Sequence, residues 1–565
     1  MGTGLLRGLA AAAAILGSLT APAAATPRRP NVLVIVADDL GYSDLGAFGG
    51  EIDTPNLDAL AKLGVRFTGF HTAPTCSPTR SMLLSGADNH EAGLGTMAEA
   101  LTPLQDGHDG YEGYLNDKVV ALPELLRDAG YQTLMVGKWH LGLTEDRSPA
   151  ARGFQKSFAL LQGLQNHFGA NQDAAWDAIG ERSTFRENAK LVAYPTGTYD
   201  ADYFGDRMAG FLKETRPDKP FFAYLTFTEP HWPLQAPPET IARYKGRYDA
   251  GPEVLRQQRL ARQKALGLIP AATEAHPVVG VPAWESLTPE QRAIEARKME
   301  IYAAMVDRLD QNVGKVIAAL RATGQLDNTL IIFLSDNGPE GSAIDRPGGH
   351  ARGKPLATAD DFAALKLDNS LGNLGAANSY VGYGPAWAQA SSAPSRLFKG
   401  YTTEGGIRTT AFVAGPGVAG GRISSAFLHV KDIAPTVLEL AGVAHPDSYH
   451  GHPVYPLEGH SWAAVLRGAE AEVRPANEPV GWELFFRRAI RQGDWKAVFL
   501  PVSKGGAYSR AASAVGTWEL FNLRADPAEA HDLAAAEPER LKALVAAWQA
   551  YAKQTGVIIP PAAQP

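Results

Sequence analysis

The chain contains 565 residues, of which 45% are hydrophobic and 20% are charged. These shares are typical of a globular protein and exclude a wholly disordered, collagen-like or coiled-coil chain. The 53 basic and 60 acidic residues give a net charge of −7, so no basic excess indicates a nucleic-acid partner. A single cysteine excludes an intrachain disulfide and a cysteine-rich zinc site.

Residues 1–25 have the order of a secretory signal peptide. Arg7 precedes an apolar run over residues 9–19, and the alanines at 23–25 offer small residues for cleavage. The run is too short to cross a membrane, and no later stretch has 18 uninterrupted apolar residues. We therefore expect an exported protein, periplasmic or secreted, with no membrane span. The alternative for this segment is a disordered alanine-rich tail.

Four apolar runs predict buried strands of a parallel sheet. They cover residues 31–37, 131–136, 221–227 and 329–334 and are rich in β-branched and aromatic side chains. Helical patterns precede the second and the fourth run, over residues 119–128 and 289–323. Strands that alternate with helices indicate an α/β fold with a mostly parallel sheet.

Ionisable or amide side chains follow each of the four predicted strands. They are Asp38 and Asp39, Lys138 and His140, His231, and Asp336 and Asn337. In open α/β sheets, ligands bind at the carboxyl ends of the strands. One aspartate after a strand is more often a turn or cap residue, but four such strand ends together predict a single pocket.

The carboxylates and the amide of this pocket suit a hard divalent cation. Oxygen ligands without thiolates favour Ca²⁺ or Mg²⁺ over Zn²⁺. The candidate ligands are Asp38, Asp39, Asp336 and Asn337. Lys138 beside them indicates that an anion binds next to the cation, and a charged sulfate or phosphate ester fits such a pocket.

The lone cysteine, Cys76, precedes a predicted helix, and Pro78 suits the first turn of that helix. Cys76 would then lie at a helix N-terminus, where the helix dipole favours anions. An unmodified cysteine in that position would be a nucleophile of low pKa. The alternative is a buried apolar cysteine, which the polar residues on both sides of Cys76 argue against.

The pentapeptide from Cys76 to Arg80 resembles the signature of the type I, formylglycine-dependent sulfatases, and further motifs stand in that family's order. They are Asp38-Asp39, residues 137–142, residues 230–233, residues 335–338, and Lys399-Gly400 with residues 404–408. Residues 89–99 and 110–143 look most like bacterial arylsulfatases. The resemblance implies the fold of the alkaline phosphatase superfamily. In that fold a large, mostly parallel but mixed sheet is flanked by helices and joined by a small C-terminal antiparallel sheet with a helix.

The resemblance also implies the cofactors of the reaction. In the family the cysteine is oxidised to formylglycine (3-oxoalanine), an aldehyde that hydrates to a geminal diol. Cys76 would thus supply the nucleophilic oxygen and would contact one Ca²⁺ ion held by Asp38, Asp39, Asp336 and Asn337. Asp336 would also accept the proton of the attacking hydroxyl.

Five further side chains receive roles from the same resemblance. Arg80 would steady the diol, and Lys138, Lys399 and His231 would bind the sulfate group. His231 would also protonate the leaving oxygen, and His140 would deprotonate the second hydroxyl and so expel sulfate.

The implied activity is that of a sulfuric ester hydrolase of the EC 3.1.6 type, which converts an aryl sulfate and water to a phenol and sulfate. Its partners would be small-molecule or sugar sulfate esters and, during maturation, a formylglycine-generating enzyme. The nearest alternative is a phosphonate monoester or phosphodiester hydrolase of the same superfamily. An exported anion-binding protein would leave the acid, base and nucleophile candidates without a use, and a cysteine protease would not need the cation ligands.

We predict a catalytic domain over residues 30–455 and a small C-terminal subdomain over residues 456–565. The latter holds predicted strands at 480–485, 495–500 and 517–521 and an amphipathic helix at 537–554. Three segments rich in Gly, Ala and Pro, at residues 161–200, 243–287 and 341–397, are predicted to be long loops that wall the pocket.

Overall fold

The computed structural model describes residues 1, 29–178, 180–342, 344, 350–351, 354–355, 359–469, 472–501 and 516–560. Apart from its first residue, the predicted signal peptide lies outside the described residues. Among the helices of the described ranges, none has the length and apolar character needed to cross a bilayer.

Ten strands of the described residues form one mixed central sheet. In chain order they are β1 (Asn31–Ala37), β2 (Val65–Phe67), β3 (Gln132–Lys138), β4 (Lys156–Leu160), β5 (Phe185–Glu187), β6 (Lys190–Val192), β7 (Phe221–Thr226), β8 (Thr329–Ser335), β9 (Ala411–Ala414) and β10 (Arg422–Ser424). Their order across the sheet is β10-β2-β9-β8-β1-β7-β3-β4-β5-β6. The five strands from β8 to β4 are parallel, whereas β9, β5 and β6 pair antiparallel with their neighbours.

Helices cover both faces of this sheet. Within the described residues the α-helices are α1 (Pro55–Leu63), α2 (Cys76–Ser85), α3 (Leu122–Asp128), α4 (Asp200–Lys213), α5 (Pro238–Ala242), α6 (Pro252–Ala265), α7 (Pro289–Ala322), α8 (Ala359–Ala364), α9 (Gly384–Ser391), α10 (Glu404–Ile407), α11 (Ile433–Ala441), α12 (Ala463–Leu466) and α13 (Pro538–Thr555). Short 3₁₀ turns lie at Gly46–Phe48, Ala98–Ala100, Glu145–Arg147, Ala174–Ala178, Trp284–Ser286, Leu326–Asn328 and Val430–Asp432. Two-residue strands pair Phe70–His71 with Leu428–His429, His350–Ala351 with Lys354–Pro355, and Ser448–Tyr449 with His452–Pro453.

Strand β1 shows why the sheet is buried on both faces. Its side chains alternate, so Leu33 and Ile35 join the core beneath α1, α4 and α7. Val32 and Val34 join the core beneath α2, α3 and α11 on the other face. All seven residues of β1 are buried, which fits a continuous β-branched run in a parallel sheet.

A four-stranded antiparallel sheet follows the central sheet in the chain. It consists of β11 (Pro479–Leu484), β12 (Arg487–Gln492), β13 (Trp495–Pro501) and β14 (Gly516–Asn522), in that order. One face packs on Leu544 and Trp548 of α13, and the other contributes Trp482 to a cluster with Ile407 of α10. The predicted fold class, an α/β sheet with a small C-terminal antiparallel sheet and helix, is therefore confirmed.

Several predictions about local structure were wrong. Residues 161–200 were predicted as a loop but contain β5 and β6, and residues 341–397 were predicted as a loop but contain α8 and α9. Residues 243–287 were predicted as a loop, but Pro252 opens the 14-residue helix α6, because Pro suits the first turn and the Leu, Arg, Gln and Lys that follow favour helix. Strand β12 was missed because its sequence, RRAIRQ, is rich in arginine. The guanidinium of Arg488 lies 4.6 Å from the ring centroid of Phe499, so this strand buries arginine stems against aromatic rings.

A buried histidine ties the central sheet's loops to the C-terminal sheet. Nδ1 of His90 lies 2.9 Å from Asp88 Oδ1, and Nε2 lies 3.4 Å from Oε2 of Glu483 on β11. Burial alone would lower the pKa of His90, but its hydrogen bonds to the two carboxylates outweigh that effect and raise the pKa to about 9. The charged histidine therefore stabilises the junction between the two sheets.

Replacing this histidine should change how stability depends on pH. We expect the difference in unfolding free energy between the wild type and His90→Gln to be largest below pH 6.5, the ordinary pKa of histidine, and to shrink as the pH rises through about 9. The folded state binds this proton more tightly than the unfolded state, by an amount on the order of 3 kcal/mol. Urea unfolding from about pH 6 to about pH 9.5 measures the difference, and a value that stays constant over this range would contradict the assignment.

Candidate active site

The four predicted strands are neighbours in the central sheet, in the order β8-β1-β7-β3. Because all four are parallel, the residues that follow them meet at one edge of the sheet. Asp38 and Asp39 follow β1, Asp336 and Asn337 follow β8, and Lys138 is the last residue of β3. Strand β3 was predicted to end two residues earlier, so the lysine lies on the strand itself.

Cys76 lies at the centre of these strand ends. It is the first residue of α2, and its Sγ atom is 3.3 Å from Asp38 Oδ1 and 3.8 Å from Asp39 Oδ1. One possible ligand atom from each of Cys76, Asp38, Asp39 and His231 lies within 4.8 Å of the others. Cys76 was predicted to lie just before a helix, and the structure makes it the first residue of that helix.

Three cationic side chains neutralise the three carboxylates of this cluster. The closest nitrogen–oxygen distances are 2.6 Å for Lys138 Nζ to Asp38 Oδ2, 2.8 Å for Lys399 Nζ to Asp39 Oδ1, and 2.7 Å for Arg80 Nη2 to Asp336 Oδ2. All six side chains are buried. Arg80, which was predicted to steady a diol, also donates from Nη1 to the carbonyl of Lys138 at 2.9 Å.

The donor set of the cluster fits a divalent cation. Burial raises the pKa of Asp39 to about 8. The charge of Lys399 opposes this shift, and the negative charge of Asp38 adds to it. Asn337 donates from Nδ2 to Asp39 Oδ1 at 2.6 Å, while its buried Oδ1 has no hydrogen-bond partner within the described part of the chain. A calcium or magnesium ion would offset the repulsion between the carboxylates and would accept the amide oxygen as a ligand.

The thiol of Cys76 does not have the low pKa predicted for an unmodified cysteine at a helix N-terminus. The residue is 1% exposed, and burial together with the carboxylate of Asp336 raises the pKa of the thiol well above its usual range. The helix dipole is outweighed because the neighbouring carboxylates repel a thiolate. An unmodified Cys76 is therefore a poor nucleophile at neutral pH.

Thiol reagents should detect this protection directly. In protein prepared without a maturation enzyme, we expect Cys76 to react with Ellman's reagent very slowly at pH 8 and quickly after unfolding in guanidinium, because only the thiolate attacks. Since the chain has one cysteine, the absorbance change reports this residue alone. Rapid reaction of the folded protein would show that the thiol is accessible and ionised.

His231 faces the cluster from the loop after β7. Its Nε2 lies 3.5 Å from Asp39 Oδ2, and its Nδ1 lies 2.6 Å from the carbonyl oxygen of Trp232. Because a carbonyl only accepts, Nδ1 carries the hydrogen and Nε2 is the atom that faces the pocket. Burial, followed by the charges of Lys399 and Lys138, holds the pKa of His231 well below its usual range.

His140 is buried two residues beyond the end of β3. Its Nε2 lies 3.0 Å from Glu99 Oε1, and its Nδ1 has no hydrogen-bond partner among the described residues. Burial lowers its pKa and outweighs the opposing effect of Glu99, so the ring is neutral near pH 7. Gly163 leaves room for the ring, since a Cβ at that position would lie 2.5 Å from His140 Cε1.

Some residues of the site were not identified from the sequence. Glu99 holds His140, and Glu340, whose Oε2 lies 3.4 Å from Lys399 Nζ, adds a carboxylate beside that lysine. Glu99 belongs to the segment that resembles arylsulfatases, which is the one signal that could have found it. Glu340 comes three residues after Asn337, and nothing in its spacing indicated contact with a lysine some sixty residues away.

Comparisons with known proteins show the family to which the chain belongs. The family model named Sulfatase matches residues 30–443. An uncharacterized sulfatase of Schizosaccharomyces pombe is 47% identical over 549 residues, covering 95% of this chain and 96% of that protein. The arylsulfatase of Klebsiella aerogenes is 40% identical over 458 residues, covering 80% of this chain and 96% of that enzyme.

The fold is similar to that of solved sulfatase-like structures. The crystal structure of Ps i-CgsB superposes with a TM-score of 0.63 at 25% sequence identity, covering 93% of this chain and 93% of that chain.

Proposed function

The chain belongs to the sulfatase family and is a sulfuric ester hydrolase, and from that premise we propose that sulfate esters react at the cluster around Cys76. The observation that supports this most strongly is the position of the only cysteine. Its Sγ lies 3.3 Å from Asp38, in a buried pocket where three cations pair with Asp38, Asp39 and Asp336. An anionic ester meets both charge neutralisation and a candidate nucleophile there.

The modification of Cys76 to formylglycine is the second part of the proposal. The raised pKa of the thiol leaves the unmodified residue a weak nucleophile, so the chain needs a different group at this position. A hydrated aldehyde supplies two hydroxyl groups on one carbon, one to attack sulfur and one to help expel sulfate. Arg80, buried against Asp336, would orient this residue.

A calcium ion is the third part of the proposal. Asp38, Asp39, Asp336 and Asn337, together with the modified Cys76, would hold the ion, and the unpartnered Oδ1 of Asn337 supports this assignment. Bound calcium would lower the cost of negative charge on the nucleophilic oxygen and on the sulfate group.

The remaining residues of the chain would bind the sulfate and move protons. Lys138 and Lys399 each place an ammonium group beside the carboxylates, where they would also neutralise sulfate oxygens. His231 would deliver a proton from Nε2 to the leaving oxygen, once the negative charge of the substrate has raised its pKa. His140, neutral near pH 7, would take up a proton at Nδ1 when sulfate is released.

Export and maturation complete the proposal. The segment over residues 1–25 would direct the chain to the periplasm or the medium. A formylglycine-generating enzyme would act on Cys76 before folding, because the folded chain leaves the residue 1% exposed.

The catalytic unit would cover residues 30–455 and the C-terminal unit residues 456–565, with the aryl or sugar part of the ester bound by the segments around the pocket.

Substitution at Cys76 tests the proposed nucleophile. In protein matured to formylglycine, we expect turnover of 4-nitrophenyl sulfate, and much slower turnover of an aryl phosphonate. Cys76→Ser should accept one sulfate group and then turn over poorly, because a simple alcohol has no second hydroxyl to expel it. Cys76→Ala, the matched control, should neither turn over nor become sulfated.

Mass spectrometry of the Cys76→Ser protein after incubation with substrate measures the sulfated peptide. Multiple turnover by Cys76→Ser at the wild-type rate would contradict the proposed release step. Faster turnover of the phosphonate than of the sulfate by the wild type would favour the phosphonate hydrolase alternative.

Thermal melting tests the cation ligands without relying on activity. We expect Ca²⁺ to raise the Tm of the wild type, because a ligand that binds only the folded state stabilises it. Asn337→Leu should lose most of this shift, and Asn337→Asp, which keeps an oxygen ligand, should retain it. An equal shift in all three proteins would place the ion elsewhere, and a larger shift with Mg²⁺ would change the assigned metal.

A further inference from the structure

A buried ionic network lies directly behind His231. It consists of His167, Asp200 and Glu229, whose side chains are 1%, 0% and 0% exposed, and we call it the His167 network. Nδ1 of His167 lies 2.8 Å from Asp200 Oδ2, and Nε2 lies 2.9 Å from the main-chain carbonyl oxygen of His231. Because both partners are acceptors, both ring nitrogens of His167 carry a hydrogen, and the ring is an imidazolium.

The charge of this ring is compensated locally. Burial alone would lower the pKa of His167, but the carboxylates of Asp200 and Glu229 outweigh it and hold the pKa well above its usual range. Asp200 thus forms a charge-assisted hydrogen bond with His167, which is stronger than a bond between neutral groups.

The hydrogen bonds around Asp200 identify the network as a support and not as a second metal site. Its Oδ2 accepts from His167, from the hydroxyl of Thr228 and from the side-chain amide of Gln165. Its Oδ1 accepts the backbone N–H of Ala201 at 3.0 Å. A carboxylate with this many donors has little capacity left for a cation.

The network holds the backbone that carries His231. The N–H of His231 donates to the carbonyl of Thr228 at 3.0 Å, and its carbonyl oxygen accepts from His167 at 2.9 Å. The next carbonyl, that of Trp232, accepts from Nδ1 of the His231 ring at 2.6 Å. His167 therefore fixes the peptide between His231 and Trp232. That peptide connects His231 to the Trp232 carbonyl, which orients the His231 ring.

We propose that His167 is a positioning residue for His231: anchored on Asp200, it fixes the His231–Trp232 peptide so that Nε2 of His231 points at the leaving oxygen. This inference rests on the proposed function, in which His231 delivers the proton to that oxygen. His167 itself touches neither Cys76 nor the carboxylates of the candidate cation site in the contacts described above.

The expected signature is a dependence on the leaving group. A proton from His231 matters most when the departing phenolate is basic, and least when it is a stable anion such as 4-nitrophenolate. Loss of the His231 alignment should therefore slow phenyl sulfate more than 4-nitrophenyl sulfate. A general loss of structure would slow both substrates by the same factor.

Two substitutions of His167 separate its two hydrogen bonds. The amide nitrogen of His167→Gln stands near the position of Nε2 and can still donate to the His231 carbonyl. The amide nitrogen of His167→Asn stands near Nδ1 and keeps only the bond to Asp200. For matured His167→Asn we expect kcat/KM to fall about tenfold more on phenyl sulfate than on 4-nitrophenyl sulfate, whereas His167→Gln should keep the wild-type ratio within about threefold.

A double-mutant cycle with His231→Ala completes the test. In that background, His167→Asn should cause no further change in the ratio of the two substrates, because the residue through which it acts is gone. An equal loss on both substrates, or a change in ratio that persists without His231, would overturn the proposal. The wild type must turn over both sulfates; inactivity on both would contradict the proposed function and not the role of His167.

Asp200→Asn provides a second test of the proposal if His167→Asn does not fold. The amide still accepts from His167 but no longer carries the charge that holds the imidazolium. We expect this variant to slow phenyl sulfate selectively, in the same direction as His167→Asn and by a smaller factor. A uniform loss on both substrates in folded Asp200→Asn, as judged by its thermal melt, would also overturn the proposal.

Discussion

The site depends on one electrostatic constraint, which is the burial of three carboxylates at the ends of adjacent parallel strands. Asp38, Asp39 and Asp336 are all at most 1% exposed, and an isolated charge in such surroundings costs several kcal/mol. Each carboxylate therefore needs its own cationic partner, and Lys138, Lys399 and Arg80 arrive from three different parts of the chain. The charges can be buried only when the fold brings these segments together. The folded sheet in turn needs the charge pairs, because unpaired carboxylates at its strand ends would destabilise it.

The same constraint explains why the pocket suits a sulfate ester. Lys138 and Lys399 are closely paired with Asp38 and Asp39, which keeps them fixed for an incoming anion, as preorganised electrostatic stabilisation requires. Burial and the nearby carboxylates also raise the pKa of the Cys76 thiol, so the environment that would favour a cation and a sulfate group disfavours a thiolate. The proposed modification of residue 76 would resolve that conflict, because a hydrated aldehyde is neutral and would not be repelled by the carboxylates.

Much of the site could be predicted because buried parallel strands have a strong sequence signal and end at one edge of a sheet. The apolar run over residues 31–37 predicted both the strand β1 and the position of Asp38 at its carboxyl end. His167 could not be predicted, since it lies outside the regular elements of the structure and its role depends on a main-chain carbonyl more than sixty residues away. The pKa of Cys76 was predicted in the wrong direction because a helix N-terminus can be recognised from local sequence, whereas burial and the distant carboxylate of Asp336 cannot.

The proposed nucleophile at position 76 is an aldehyde derived from cysteine, and the mass of the tryptic peptide over residues 67–80 shows whether it is present. The protein should be produced together with a formylglycine-generating enzyme, and the mass of this peptide should then be measured. We expect the mass to correspond to an aldehyde in place of the thiol. An intact thiol under those conditions, in a protein that still hydrolyses aryl sulfates, would mean that the reaction proceeds without formylglycine at position 76.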